Sequence, residues 1–163
     1  RMFTGDRSGD WLFGALHRAG LASSPASVSR DDGQQLAGVR ITAAVRCAPP
    51  DNKPTTAERD TCAPWLLREL ELTARSVRVV IALGGFAWTA ALGALGECGW
   101  GIPRPRPTFG HGAEVHLERA GESLVLLGCY HPSQQNTFTG RLTEPMLDDV
   151  FARAREFSLP GAQ

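Results

Sequence analysis

The sequence predicts an α/β fold, and three observations carry that prediction. Val77 to Leu83 is a run of mainly β-branched apolar residues broken only at Arg78, as in a strand buried on both faces of a parallel sheet. Leu124-Val125-Leu126-Leu127-Gly128 is a second such run. Between and around them lie longer segments whose apolar residues recur at helical spacing. Strand–helix alternation with apolar strands places helices on both faces of the sheet, in a three-layer α/β/α arrangement.

The elements follow in order. Ser8 or Asp10 can cap a helix through Trp11-Leu12-Phe13, Leu16 and Ala19, with Gly20 as its stop. Ala22 to Gly38 is rich in Ser, Asp, Gly and Gln and reads as loop or weak helix. Val39 to Val45 is a strand candidate. The Pro-bearing segment Ala48 to Pro54 excludes a ladder. Thr55 or Thr56 then caps a helix reaching about Thr73. Gly84-Gly85 turns the strand at Val77 into a short helix, Ala87 to Leu95. Arg104 to Gly112 is a Pro-rich loop, and Glu114 to Leu117 a short strand. The last helix spans about Glu144 to Phe157.

Composition bounds the function classes. The 163 residues are 42% hydrophobic and 21% charged, with 17 basic and 17 acidic side chains, so any nucleic-acid-binding patch must be local. No apolar run approaches the length of a membrane span, and no secretory signal pattern is present. The four cysteines, Cys47, Cys62, Cys98 and Cys129, therefore read as buried thiols or metal ligands rather than a disulfide framework. There is no Gly-x-Ser-x-Gly elbow, no Walker loop and no dinucleotide fingerprint.

In open α/β sheets the reacting groups collect where loops leave the strand ends. Two loops stand out. His131 to Arg141 opens with a His at the mouth of a strand, then Ser133, Gln134, Gln135 and Asn136, then Arg141. Such a His can donate a hydrogen bond to a developing anion, and amides can contact phosphates or base edges. The commoner role for that residue set is structural, with His131 closing the strand above an ordinary polar loop. The other loop holds Asn52 and Lys53 between Pro50 and Pro54, a stiff platform for a water or a phosphate. Here the commoner role is a turn in which Asn52 satisfies its own backbone. Cys47 and Cys62 make half of an iron–sulfur ligand set, the alternative being two free buried thiols; Cys98 and Cys129 read as packing residues. His111 can reach a site from the Pro-rich loop or serve as a local backbone partner, and His17 and His116 read as surface or core residues.

Phe3-Thr4-Gly5-Asp6-Arg7-Ser8-Gly9, Val45 to Pro54 and His131-Pro132-Ser133-Gln134-Gln135-Asn136 stand in an order and spacing that resemble the iron–sulfur uracil-DNA glycosylases, family 5 (type b). The resemblance covers nearly the whole chain. It implies one glycosylase-like domain over residues 1–163, incomplete at its N-terminus, built on a short, mostly parallel four-stranded sheet whose first strand lies upstream of Arg1. It implies a 4Fe–4S cluster with Cys47 and Cys62 as two of its four ligands. It implies an enzyme that hydrolyses the N-glycosidic bond of uracil flipped out of DNA, with His131 bonding the base oxygen and Asp6 and Asn52 positioning or activating the water. Phe3 would stack on the extruded base. Ser133, Gln134, Gln135 and Asn136 would enter or grip the DNA, and Lys53 and Arg141 would contact phosphates.

Ala43 stands where family 4 relatives carry a base-reading Asn. The resemblance therefore implies a more permissive pocket that also accepts hypoxanthine. A monomer in the prokaryotic cytoplasm, associated with the nucleoid, is the matching expectation. The competing reading is a non-catalytic module that binds damaged DNA, or an inactive fragment of such an enzyme.

Overall fold

The computed structural model describes residues 2–47, 49 and 54–158. It divides into two compact units, Arg1–Ile41 with Cys129–Gln163, and Thr42–Gly128. The described elements are α1 (Arg7–Arg18), α2 (Thr56–Thr73), β1 (Val79–Leu83), α3 (Gly85–Glu97), β2 (Glu114–Arg119), β3 (Glu122–Cys129), α4 (Gln134–Phe138) and α5 (Glu144–Ser158). The α/β class is as expected.

In the first unit α1 and α5 pack together, and Leu12, Phe13, Leu16, Leu147, Val150 and Phe151 are buried. Both ends of α1 are chemically specified. Asp6, rather than Ser8 or Asp10, is its N-cap: the Asp6 side chain accepts from the Gly9 amide at 2.7 Å. Gly20 ends it at φ 71°, with the Gly20 amide donating to the His17 carbonyl and the Leu21 amide to the Leu16 carbonyl. That double closure needs the left-handed residue that Gly supplies without strain. Arg18 grips Asp148 of α5 through two nitrogens, at 2.8 to 3.0 Å.

In the second unit the sheet order is β1-β3-β2. β2 and β3 form an antiparallel hairpin in the register Glu114↔Leu127 to Arg119↔Glu122. The two-residue connection, Ala120 (φ 47°) and Gly121 (φ 83°), has the paired positive φ of a turn whose twist matches its strands. α3 packs against β1, and α2 against α3. Ala82, Trp88, Leu92, Leu95, Trp100, Leu117, Leu124 and Leu126 form the main core. Thr55 and Glu58 build the reciprocal cap at the start of α2.

The strand expected at Val39 to Val45 is not formed. A strand needs a neighbour to take its amides and carbonyls, and no described strand pairs with this stretch. Side chains hold it instead: Thr42 and Arg46 both engage Glu69 of α2, Arg46 at 2.8 Å. The sheet has three described strands, of which β2 runs antiparallel to β3.

At the end of β3, Gly128 is pressed against the loop before β2. A Cβ on Gly128 would lie 2.2 Å from the Gly110 carbonyl oxygen. Both backbones are tied there, with Gly128 donating to Ala113 and accepting from Gly112, each at 2.8 Å. Gly128→Ala is expected to cost about 1–3 kcal/mol or more, since a backbone must shift to admit the methyl. Urea denaturation monitored by circular dichroism should show a lowered midpoint, and an unchanged midpoint would refute the close approach.

Candidate functional site

The site residues in the first unit are assembled by the turn before α1 and the loop after β3. Phe3 adopts φ 58°, a left-handed conformation that costs a residue with a Cβ about 1–3 kcal/mol. Its carbonyl sits against α1 at Gly9, where a Cβ would come within 2.1 Å of the Phe3 oxygen. Gly5, at φ 72°, donates its amide to the Ser27 carbonyl at 2.8 Å. The hydroxyls of Thr4 and the buried Ser27 meet at 3.1 Å. Bound on both sides in this way, the turn sets the Phe3 ring 5.6 Å from the His131 ring, tilted by 36°.

His131 leaves the end of β3 between the half-buried Tyr130 and the buried Pro132. Burial pulls its pKa below the usual 6.5, and the Asp6 carboxylate pulls weakly the other way. Burial prevails, so the imidazole is neutral at neutral pH and keeps one N–H to donate. Asp6 is exposed. Its Oδ1 is held by the Gly9 amide, and Oδ2 takes part in no hydrogen bond among the described residues. Capping therefore fixes the orientation of the carboxylate beside His131.

The loop beyond His131 is not the irregular segment expected. Gln134–Phe138 form the short helix α4, with Ser133 at its N-cap position. Asn136 turns inward, its Nδ2 donating to the His131 carbonyl at 2.9 Å, so this amide supports the loop. Gln134 and Gln135 are exposed on α4. The Arg141 guanidinium lies over the Tyr130 ring at 4.6 Å, and that of Arg7 over the Phe138 ring at 4.3 Å.

The other expected site residues belong to the second unit. Ala43 is half-buried. Cys47 is exposed and Cys62 half-buried, correcting the alternative in which both thiols were buried. The Arg46 amide donates to Cys62 Sγ at 3.4 Å, which brings that sulfur to the residue next to Cys47. Two thiols, one of them accepting a backbone N–H, suit half of an iron–sulfur ligand set. Among the described residues no group of three or more His, Cys, Asp or Glu could hold a metal. Cys129 is fully buried, its thiol pushed up to about 12 by burial, and is the packing residue expected. His111 is half-buried in the loop tied to Gly128. Asn52 and Lys53 lie outside the described residues.

Sequence reasoning left Arg7, Gly9, Ser27 and Phe138 without roles. Only Gly9 carried a signal, because a Gly inside a helical pattern weakens the helix and so points to a packing reason. Among the described residues no helix is long and apolar enough to cross a membrane.

The family model for the uracil DNA glycosylase superfamily matches residues 1–155. A type-5 uracil-DNA glycosylase of Mycobacterium bovis is 57% identical over 158 residues, which cover 97% of this chain and 56% of the relative. Another of Mycobacterium leprae is 55% identical, covering 97% of this chain and 66% of the relative. One of Thermus thermophilus is 46% identical, covering 97% and 68%. The chain thus spans little more than half the length of the Mycobacterium bovis relative.

The competition at His131 has a direct readout. Asp6→Asn removes the upward pull, so the His131 imidazole is expected to titrate lower still in an NMR pH series. A rise, or no change, would place the carboxylate elsewhere. The linkage has a definite sign. Below 6.5 the unfolded chain takes up the proton before the folded one, so acidification through this window erodes stability.

Proposed function

Because the chain belongs to the uracil DNA glycosylase superfamily, we propose that it carries the base-excising machinery of a DNA-repair glycosylase. Its substrate is DNA containing uracil, and its reaction is hydrolysis of the N-glycosidic bond of the extruded nucleotide. The observation that carries this reading is the neutral, half-buried His131 beside both the Phe3 ring and the Asp6 carboxylate.

Each group has a task matched to its chemistry. As the bond between the sugar carbon and the base nitrogen breaks, negative charge moves onto the base oxygens. A neutral imidazole donates its N–H to that oxygen as the charge grows. It does so without the cost of burying a cation in the empty site. Water adds to the sugar carbon, and its proton passes to a carboxylate. Asp6 suits that role, since its cap hydrogen bond fixes one oxygen and leaves the other for the water. Asn52 would help to place the same water. Phe3 offers an aromatic face to the flipped base. Ser133, Gln134, Gln135 and Arg141 would meet the DNA backbone or the gap left by the base, with Lys53 as a further phosphate contact and Asn136 supporting the loop from within.

Cys47 and Cys62 would hold two corners of a 4Fe–4S cluster, with the Arg46 amide on the Cys62 sulfur. The cluster would supply a structural crosslink between Cys47 and the start of α2, remote in role from the bond broken. Ala43 offers no amide to read the base edge, which supports a pocket open to hypoxanthine as well as uracil.

In an alkali-cleavage assay on a U·G duplex, the full-length protein is expected to break the strand at uracil. His131→Ala should slow this by about 10²–10³-fold, the usual effect of losing one anion-stabilising donor. Equal rates would remove His131 from the mechanism, and no cleavage by the wild type would overturn the glycosylase reading. On a hypoxanthine duplex Ala43→Asn should lower the rate relative to uracil; an unchanged ratio would end the case for breadth set at Ala43. Separately, Cys62→Ala in the full-length protein is expected to lower bound iron and the visible cluster absorption. Full iron content in that variant would exclude Cys62 as a ligand.

A further inference from the structure

Five arginines among the described residues lie over aromatic rings: Arg7 on Phe138, Arg46 on Trp65, Arg119 on Trp100, Arg141 on Tyr130 and Arg153 on Phe157. Three of them are neutralised. Arg46 pairs with Glu69 at 2.8 Å, Arg119 with Glu122 at 2.6 Å and Arg153 with Glu156 at 2.5 Å. Arg7 and Arg141 pair with no carboxylate among the described residues, and both are exposed. The two exceptions share a location in the chain. Their platforms, Tyr130 and Phe138, bracket the segment that begins with His131.

A guanidinium lying over a ring keeps its N–H groups in its own plane, directed outward past the ring edge. Stacking restrains the side chain before any ligand arrives, so less freedom is lost on binding. Left without a carboxylate, such a group offers a fork that matches a phosphate. Phe138 itself is 65% exposed, so the Arg7 guanidinium that it carries stands at the surface.

We infer that Arg7 and Arg141 are a matched pair of pre-stacked phosphate-binding residues, each held on an aromatic platform at one end of the His131 segment, and that both engage the backbone of the DNA carrying the extruded base. The inference rests on the glycosylase reading for its ligand and adds Arg7 and Phe138 to the residues that reading uses. It also shows how a chain with 17 basic and 17 acidic side chains can hold a polyanion. The two cations are uncompensated where the substrate sits, and acidic partners balance others elsewhere.

The test is the salt dependence of duplex binding by the full-length protein, on DNA bearing a non-hydrolysable uracil nucleotide. Each phosphate contact contributes about 0.9 to the slope of log affinity against log salt. Arg7→Ala and Arg141→Ala should each reduce that slope by about 0.9. Phe138→Ala keeps the charge and removes the platform, so the slope should hold while affinity falls about two- to fivefold. Arg30→Ala, which removes an exposed arginine that lies over no aromatic ring among the described residues, serves as the control for charge alone. Wild-type slopes in both arginine variants, or an equal fall in Arg30→Ala, would overturn the inference. Uracil release is measured on the same preparations. Wild-type protein that binds DNA but releases no uracil would defeat the glycosylase reading while the slopes still decide the arginines. Wild-type protein that binds no DNA would defeat both.

Discussion

The geometry around His131 depends on a side chain that is missing. Gly9, one turn into α1, lets the Phe3 carbonyl lie where any Cβ would stand. That approach holds Phe3 in a left-handed conformation and brings its ring to His131. The same turn gives Asp6 its capping position, so one carboxylate both starts the helix and acts electrostatically on the imidazole. The strain at Phe3, about 1–3 kcal/mol, is offset by the cap and by the bonds to Ser27. Folding of α1 and assembly of the site are therefore one event rather than two.

His131 is governed by opposing influences of unequal size. Burial favours the neutral ring, and the Asp6 carboxylate favours the charged one. Had the carboxylate prevailed, the site would hold an ion pair, and an approaching anion would compete with Asp6 for the imidazolium. With burial dominant, Asp6 stays available to another partner and the imidazole stays a neutral donor. A site that must meet a negative base and a water in one step is better served by two groups that do not neutralise each other.

Much of the fold was legible because its strands and helices are locally consistent. Thr55 with Glu58, Gly20 after Ala19, and the apolar runs at β1 and β3 each announce their element. What misled was Val39 to Val45, whose β-branched alternation says strand although no described strand pairs with it. Pattern states what a segment can do, and a ladder also requires a neighbour. α4 was missed because Gln134–Phe138 is too short and polar to show a period. In the site, Phe3, Asp6 and His131 were legible through their motifs, and the structure adds their mutual geometry. Arg7 and Phe138 were not, since a contact between residues 7 and 138 leaves no mark in either neighbourhood of the sequence. Asp6 was legible as a chemical group but not as a cap, because Ser8 and Asp10 offered equally good capping side chains two and four residues later.

The contact between Gly128 and Gly110 is lopsided. A methyl on Gly128 would strike a backbone oxygen at 2.2 Å, whereas one on Gly110 would meet only the Ala113 methyl, at an ordinary 3.8 Å. The vacancy that admits the loop belongs to the strand. Residue 110 is thus free to vary in type while its carbonyl stays put, and residue 128 is not. Sequence drift in the loop bearing His111 can proceed without moving its main chain, because the template for its path is carried by a different part of the polypeptide. In a set of homologues the two positions should accordingly diverge at different rates, with no compensating change at one able to excuse a side chain at the other.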